Sequence, residues 1–220
     1  MSGFQTTHYK SKKNKVLLVN GIVEKHHINP EAANREVSNL QLLHTNGLAV
    51  PRVISAQNNI IMMEHIEGQT LPDMIDSYED VTNDKYDSVT LPSLDLLSGA
   101  LVHWFREYYK ITYDIFGRVC GRGDVNGRNF IFDGKMFRGV DFEDDINAPE
   151  DVDIAERDIG RLMAFVLYYD PPNTAVKKQL CDAVLQSAVE LLQVKEEPAR
   201  MYCEQEVRAM KVRRSKYMRR

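Results

Sequence analysis

Asp124 and Asn129 sit five positions apart in RGDVNGRNF, and Asp141 follows twelve positions later in GVDFEDD. Two apolar runs, NFIF and MFRGVDF, lie between Asn129 and Asp141, joined through Asp133-Gly134, a dipeptide suited to a hairpin turn. A hairpin folds back on itself, so the loop carrying Asp124 and Asn129 meets the far end of the strand that delivers Asp141. Three hard oxygen donors brought together in this way suit Mg²⁺, which keeps several waters and is commonly shared with substrate phosphates. Calcium fits less well. An EF-hand count started at Asp141 puts Ile146 where glycine is required and Val152 where a bidentate glutamate is required.

A second chemical oddity is Glu36, which falls within an apolar stripe made by Ala32, Leu40 and Leu43 on a helix. Burying an unpaired carboxylate costs several kcal/mol. Either Glu36 finds a cation, of which Lys25 in the preceding IVEKHH segment is the nearest, or it tilts to the edge of the stripe and reaches water. Asp158, in AERDIGRLM, reads on its own as an exposed first-turn acid favoured by the helix dipole.

The elements that must position these groups follow from the pattern. KVLLVNGIVEKHH reads as two strands around Asn20-Gly21, spanning Lys15 to His27. A helix comes next, with Pro30 and Glu31 in its first turn and Gly47 at its C-terminal cap. PRVISAQNNIIMMEHIEG supplies two further strands with a turn near Asn58-Asn59. After Gly68 a polar stretch runs to about Pro92, and Ser93 then caps a helix bearing Leu94, Leu97, Leu101, Trp104 and Tyr108. Beyond the NFIF hairpin the chain reads as helical: 156–169, 174–194, and a last helix opened by Pro198. The expectation is an α+β chain, with a small sheet-rich part over residues 1–67 and a larger helical part over 68–220.

Composition narrows the class. With 43% hydrophobic residues, 220 residues can bury a sizeable core. The N-terminal MSGFQTTHYKSKKNK is polar, and nowhere do about 18 apolar residues run together, so the expectation is a cytoplasmic protein without a membrane span. Cys120, Cys181 and Cys203 are odd in number, far apart and without CxxC spacing, which points to buried thiols. From Val207 to Arg220 there are seven basic residues and no acidic one, although the chain as a whole carries a formal charge of −4. Such a tail is a terminal helix with a solvated charged face, folds back on its own acidic body, or holds nucleic acid or an anionic surface.

RGDVNGRNF followed by GVDFEDD resembles the catalytic and metal-binding segments of the protein-kinase-like fold, in particular its aminoglycoside and choline phosphotransferase branch. Lys25, Glu36 and the MMEHIEG segment lie upstream in the family's order. The resemblance implies a two-lobed fold, a small N-terminal antiparallel sheet with one helix over a mainly helical C-terminal lobe. It also implies an ATP-dependent phosphotransferase with an alcohol group as acceptor. Asp124 would then accept the proton of the attacking hydroxyl, and Asn129 and Asp141 would hold Mg²⁺. Lys25 would bind the α and β phosphates, with Glu36 holding it. At the hinge, the Glu64 carbonyl and the Ile66 amide would meet the adenine edge, with Met63 behind it. Asp158 would accept backbone hydrogen bonds from the catalytic loop.

The chain also departs from that family. It has no GxGxxG, the segment GFQTTHYKSKK leaves little room for a hairpin over the phosphates, and Arg122 stands where the family has histidine. The acidic run Glu143, Asp144, Asp145, Glu150, Asp151 and Asp153 suits a cationic acceptor such as an amino alcohol or aminoglycoside-like compound, or is simply a solvated loop. Two alternatives to a small-molecule kinase stand beside it: a pseudokinase acting as a nucleotide-binding partner protein, and a compact protein kinase.

Overall fold

The computed structural model describes residues 6–9, 13–82, 91–148 and 153–217. Its N-terminal part is a five-stranded antiparallel sheet, ordered across the sheet as β1 (Thr6–Tyr9), β2 (Lys15–Val19), β3 (Ile22–His26), β5 (Ile60–Glu64) and β4 (Val53–Gln57). Strands β2 (Lys15–Val19) and β3 (Ile22–His26) meet at Asn20 and Gly21, whose φ values of 51° and 80° are those a two-residue hairpin needs. Strands β4 (Val53–Gln57) and β5 (Ile60–Glu64) turn at Asn58 and Asn59, again with positive φ. Helix α1 (Pro30–Thr45) connects the two hairpins; Asn29 caps it by accepting the Glu31 N–H at 2.9 Å. Its inner face buries Ala33, Leu40 and Leu43, and Glu36 among them.

Strand β1 (Thr6–Tyr9) corrects one expectation. It pairs antiparallel with β2, so a hairpin does stand ahead of Lys15. All four of its side chains are exposed, so the strand leaves no hydrophobic alternation to read.

The C-terminal part is larger and mainly helical: α2 (Leu71–Thr82), α3 (Leu94–Phe116), α4 (Ile154–Tyr168), α5 (Ala175–Leu192) and α6 (Glu196–Tyr217). A small sheet of β6 (Gln69–Thr70), β7 (Phe130–Phe132) and β8 (Phe137–Gly139) lies beside them. Helices α3 and α5 begin at Ser93 and Thr174, whose hydroxyls accept the Leu96 and Lys177 amides. Helix α2 falls in what the sequence suggested was a polar stretch. Its inward residues Leu71, Met74 and Ile75 do follow helical spacing, and Thr70 with Asp73 forms a reciprocal cap, the hydroxyl donating to the carboxylate at 2.6 Å. Lys177 of α5, fully buried, pairs with Glu79 of α2 at 2.8 Å and donates to the Pro171 carbonyl at 2.6 Å, which docks the two helices.

One junction fixes the strand that leads to Asp141. The Ala49 carbonyl, just after α1, accepts both the Trp104 indole N–H from α3 at 2.9 Å and the Gly139 amide from β8 at 3.0 Å. Trp104 stacks on Tyr108 and meets Phe130 edge-on, so its ring is held by the core. Gly139 allows the approach, since a Cβ there would stand 2.3 Å from the indole. Among the described residues, no helix is long and apolar enough to cross a membrane. The basic segment continues α6: Arg213 pairs with Glu206 at 2.5 Å, and the Arg214 guanidinium lies 4.0 Å over the Tyr168 ring. Residues 218–220 lie outside the described part, as do Glu150 and Asp151 of the acidic run.

Candidate functional site

Alternation along β3 turns Lys25 inward, and helical spacing turns Glu36 inward from α1. They meet: Lys25 Nζ is 2.7 Å from a Glu36 carboxylate oxygen. The same ammonium stands 2.6 Å from Asp141 and 3.0 Å from Glu143. Burial alone would lower the lysine pKa, but Glu36 and Asp141 outweigh it and hold Lys25 above its ordinary range. Burial pushes the Asp141 carboxyl up, yet the Lys25 ammonium, aided by Arg122, keeps it below the usual carboxylate range. Lysine and aspartate are therefore both charged at neutral pH.

Glu36 does more than hold Lys25. Its other oxygen accepts the Phe142 amide at 3.4 Å, which ties α1 to the residue after Asp141. His27, whose side chain is wholly buried, brings Nε2 to within 2.8 Å of Glu36. Sequence reasoning passed over His27. Its signal was present, because strand alternation carries residues 25 and 27 to the same side.

The loop before β7 is laced to the same place. The Asn129 side-chain amide donates to the Asp124 carbonyl at 3.2 Å, and the Val140 amide donates to the Asn129 carbonyl at 2.9 Å. Asp124 uses one carboxylate oxygen to accept the Asn126 N–H at 3.0 Å, which fixes its rotamer. Asp158 is fully buried; one of its oxygens accepts the Arg122 amide at 2.7 Å and the Tyr109 hydroxyl at 3.1 Å. Arg161, one turn further along α4, donates to the Gly123 carbonyl at 2.8 Å.

Arg122 has a defined place here. Its guanidinium donates to the carbonyls of Val140 at 2.6 Å and Asp141 at 3.0 Å and lies 4.0 Å over the Phe142 ring. Those bonds clasp Asp141 in a left-handed backbone conformation, φ 66°, which a non-glycine residue holds only when its surroundings insist. Asn39 of α1 adds two bonds from the other side, to the carbonyls of Phe142 at 2.9 Å and Asp144 at 2.8 Å. Segment 140–144 is thus gripped from both parts of the molecule.

The sheet with its inward lysine and the helix with its glutamate now have a counterpart among known families. Residues 2–108 match the model of the RIO domain. The fold is a two-lobed, kinase-like α+β fold. Comparison with curated proteins finds no match. The RIO domain is an atypical protein-kinase-like family, so the likeness is to the kinase-like fold and does not single out the aminoglycoside and choline phosphotransferase branch. The matched stretch takes in the N-terminal sheet, α1, α2 and most of α3, and ends before the loop of Asp124.

The residues that the resemblance assigns to a hinge, Met63, Glu64 and Ile66, fall at and just beyond the end of β5. Met63 is buried opposite Val23 of β3, and Ile66 is buried just beyond the strand. The Glu64 side chain accepts the Arg52 amide at 3.2 Å, and its own amide donates to the Arg52 carbonyl at 2.9 Å. His65 shares a 2.9 Å hydrogen bond with Tyr9 of β1, which ties that strand to the segment after β5.

Asn129 and Asp141 carry the hard oxygen donors that magnesium prefers. Asn129 spends its amide nitrogen on the Asp124 carbonyl, which turns the amide oxygen away from that carbonyl, and Asp141 contributes an ionised carboxylate. A second grouping, His27, Glu36 and Glu143, brings ligand atoms within 4.8 Å of one another among the described residues. The Lys25 ammonium already stands inside that grouping, at 2.7 Å from Glu36 and 3.0 Å from Glu143.

Proposed function

We propose that the chain transfers the γ-phosphoryl group of ATP, bound with Mg²⁺, to a hydroxyl of a small molecule. The observation that carries this reading is the Lys25–Glu36–Asp141 assembly, with Asp141 joined through Val140 and Asn129 to the loop of Asp124. Phosphoryl transfer has a loose transition state, so catalysis rests on positioning and charge stabilisation. Bound Mg²⁺ would supply a positive charge to the phosphate oxygens. Asn129 and Asp141 would hold it, Lys25 would take the α and β phosphates, and Met63, Glu64 and Ile66 would receive the adenine. Asp124 would orient the acceptor hydroxyl and take up its proton.

Two features support a small acceptor. Only twelve residues, 142–153, separate Asp141 from α4, too short a stretch to build an extended peptide platform. Asp144 and Asp145 are exposed in that stretch, and a Cβ on Gly123 would lie 3.0 Å from the Asp144 carboxylate, so acidic groups stand beside the loop of Asp124. A cationic acceptor would be drawn to them. The match to the RIO domain favours a second reading, a protein acceptor.

The test is Mg²⁺-dependent ATP consumption by the native chain and by Asp124→Asn, offered panels of amino alcohols, sugars and proteins. Turnover with a small hydroxyl compound that Asp124→Asn abolishes is the expected result. Equal rates in the two proteins would remove Asp124 from the reaction, and phosphate incorporation into protein alone would favour the second reading. Nucleotide binding without turnover on any acceptor would point to a pseudokinase.

A further inference from the structure

An ammonium group has three protons to donate. Lys25 faces three carboxylates, Glu36 at 2.7 Å, Asp141 at 2.6 Å and Glu143 at 3.0 Å, so its donors are fully engaged by the chain's own acids. Two of the three have other work. Glu36 is buried and also holds the Phe142 amide, and Asp141 is the carboxylate that suits a metal. Glu143 makes the longest of the three contacts, and its carboxylate also accepts a hydrogen bond from the Asn14 side chain, at the foot of β2 where the chain arrives from β1. Its carbonyl accepts from Arg35 of α1 at 3.0 Å.

Glu143 therefore bridges the inward lysine and the edge of the β1–β2 hairpin. A nucleotide phosphate lying under that hairpin would bridge the same two groups. We infer that the Glu143 carboxylate is a built-in phosphate mimic that must leave Lys25 before nucleotide can bind, which makes binding depend on a divalent cation. This rests on the reading of Lys25 as a phosphate ligand. The charge balance gives the cation its part. Three carboxylates already surround one ammonium, and a bare triphosphate would add further negative charge at the same point. A divalent cation shared by Asp141 and the phosphates offsets that charge, and it offers the displaced Glu143 a new counter-ion.

The experiment is an equilibrium titration with a fluorescent adenine nucleotide, in EDTA and in Mg²⁺, of the native chain, Glu143→Gln, Glu143→Ala and Asn14→Ala. The native chain is expected to bind the metal-free nucleotide at least about tenfold more weakly than the magnesium complex. Both Glu143 variants are expected to tighten metal-free binding by roughly tenfold, the worth of a hydrogen bond to a charged group. Asn14→Ala, which loosens Glu143 without touching Lys25, should move it a smaller amount in the same direction. Magnesium-nucleotide binding by all four proteins with no gain in metal-free affinity would overturn the mimic and leave the phosphate role of Lys25 standing. Absence of nucleotide binding in every protein under both conditions would overturn that role and the mimic with it. Loss of the folded circular dichroism spectrum in the near-isosteric Glu143→Gln would make the carboxylate structural and would equally overturn the proposal.

Discussion

Asp158 accepts the backbone N–H of Arg122 at 2.7 Å across 36 positions of chain. A wholly buried carboxylate on α4 thereby sets the backbone from which Asp124 projects two residues later, and the Tyr109 hydroxyl secures the same oxygen from α3. Asp158→Ala removes the acceptor from both donors. The expected loss is about 3 kcal/mol of stability, since hydrogen bonds to charged groups are the stronger kind and orphaned buried donors add their own cost. Urea denaturation measures it, and a loss below about 0.5 kcal/mol, the range of an ordinary surface substitution, would show that the loop does not depend on this residue.

Arg122 should act on the segment of Asp141 rather than on the core. Arg122→Lys keeps the charge but loses the fork that reaches two carbonyls and the flat face that lies on Phe142. The variant is expected to bind the magnesium–nucleotide complex about tenfold more weakly, on the scale of one lost charge-assisted bond. Calorimetric titration against the native chain checks it; unchanged affinity would mean that Asp141 keeps its place without the clasp.

Helices α4 and α6 touch at Gly160, where an added Cβ would stand 2.4 Å from the Ala199 carbonyl and 2.9 Å from the Cys203 amide. Both neighbours are backbone atoms and cannot swing aside. Gly160→Ala should therefore destabilise the chain by roughly 2 kcal/mol, in the range that overpacking costs, and a thermal midpoint equal to that of the native chain would refute so close an approach.

The hairpin turn of β7 and β8 carries its own pH dependence. Burial pushes the Asp133 carboxyl up, but the amides of Met136 and Lys135 and the Arg138 guanidinium outweigh it and hold the pKa below its ordinary value. A carboxyl depressed in the folded state stabilises the fold above its unfolded pKa of about 4, and that contribution fades as pH falls through the depressed folded value. Asp133→Asn should therefore flatten the acid side of the stability curve between about pH 5 and pH 2. Urea midpoints across that range compare the two proteins; parallel curves would contradict the assignment.

The three cysteines should be inert in the folded chain. All are buried thiols outside any disulfide, and burial, the largest influence on Cys181 and Cys203, pushes the Cys181 thiol above its ordinary range and Cys203 up to about 11. Thiolate is the reactive form, so a disulfide reagent at pH 8 should label the native chain slowly and the urea-unfolded chain at once. Rapid labelling of Cys181 in the native chain would show that α5 opens readily.

Local chemistry was legible wherever a short stretch carried its own signal. Asn20-Gly21 and Asn58-Asn59 formed the turns their positive φ tolerance suggested, and Ser93 and Thr174 marked helix starts. Helix α2 escaped because its apolar residues are interspersed with Asp73, Asp76, Glu79 and Asp80, and β1 escaped because all four of its side chains are exposed. Glu36 was readable as a carboxylate that either needed a partner or leaned to water. Choosing between them required the strand and the helix to be placed against each other, which put Lys25 at 2.7 Å.

Arg122 shows the same division from the other side. Its departure from the family's histidine was plain in the sequence, but the carbonyls it serves lie 18 and 19 positions away, and a guanidinium's value depends on which acceptors its fork meets. The order of residues determined which groups are able to ligate, donate or accept, and the turns and caps that begin each element, because those depend on neighbours a few positions apart. Tertiary packing alone decided that Lys25, Glu36, Asp141 and Glu143 share one cluster. The reason is physical: electrostatic and hydrogen-bond energies depend on distances of a few ångströms, and for residues over a hundred positions apart those distances exist only once the core has closed.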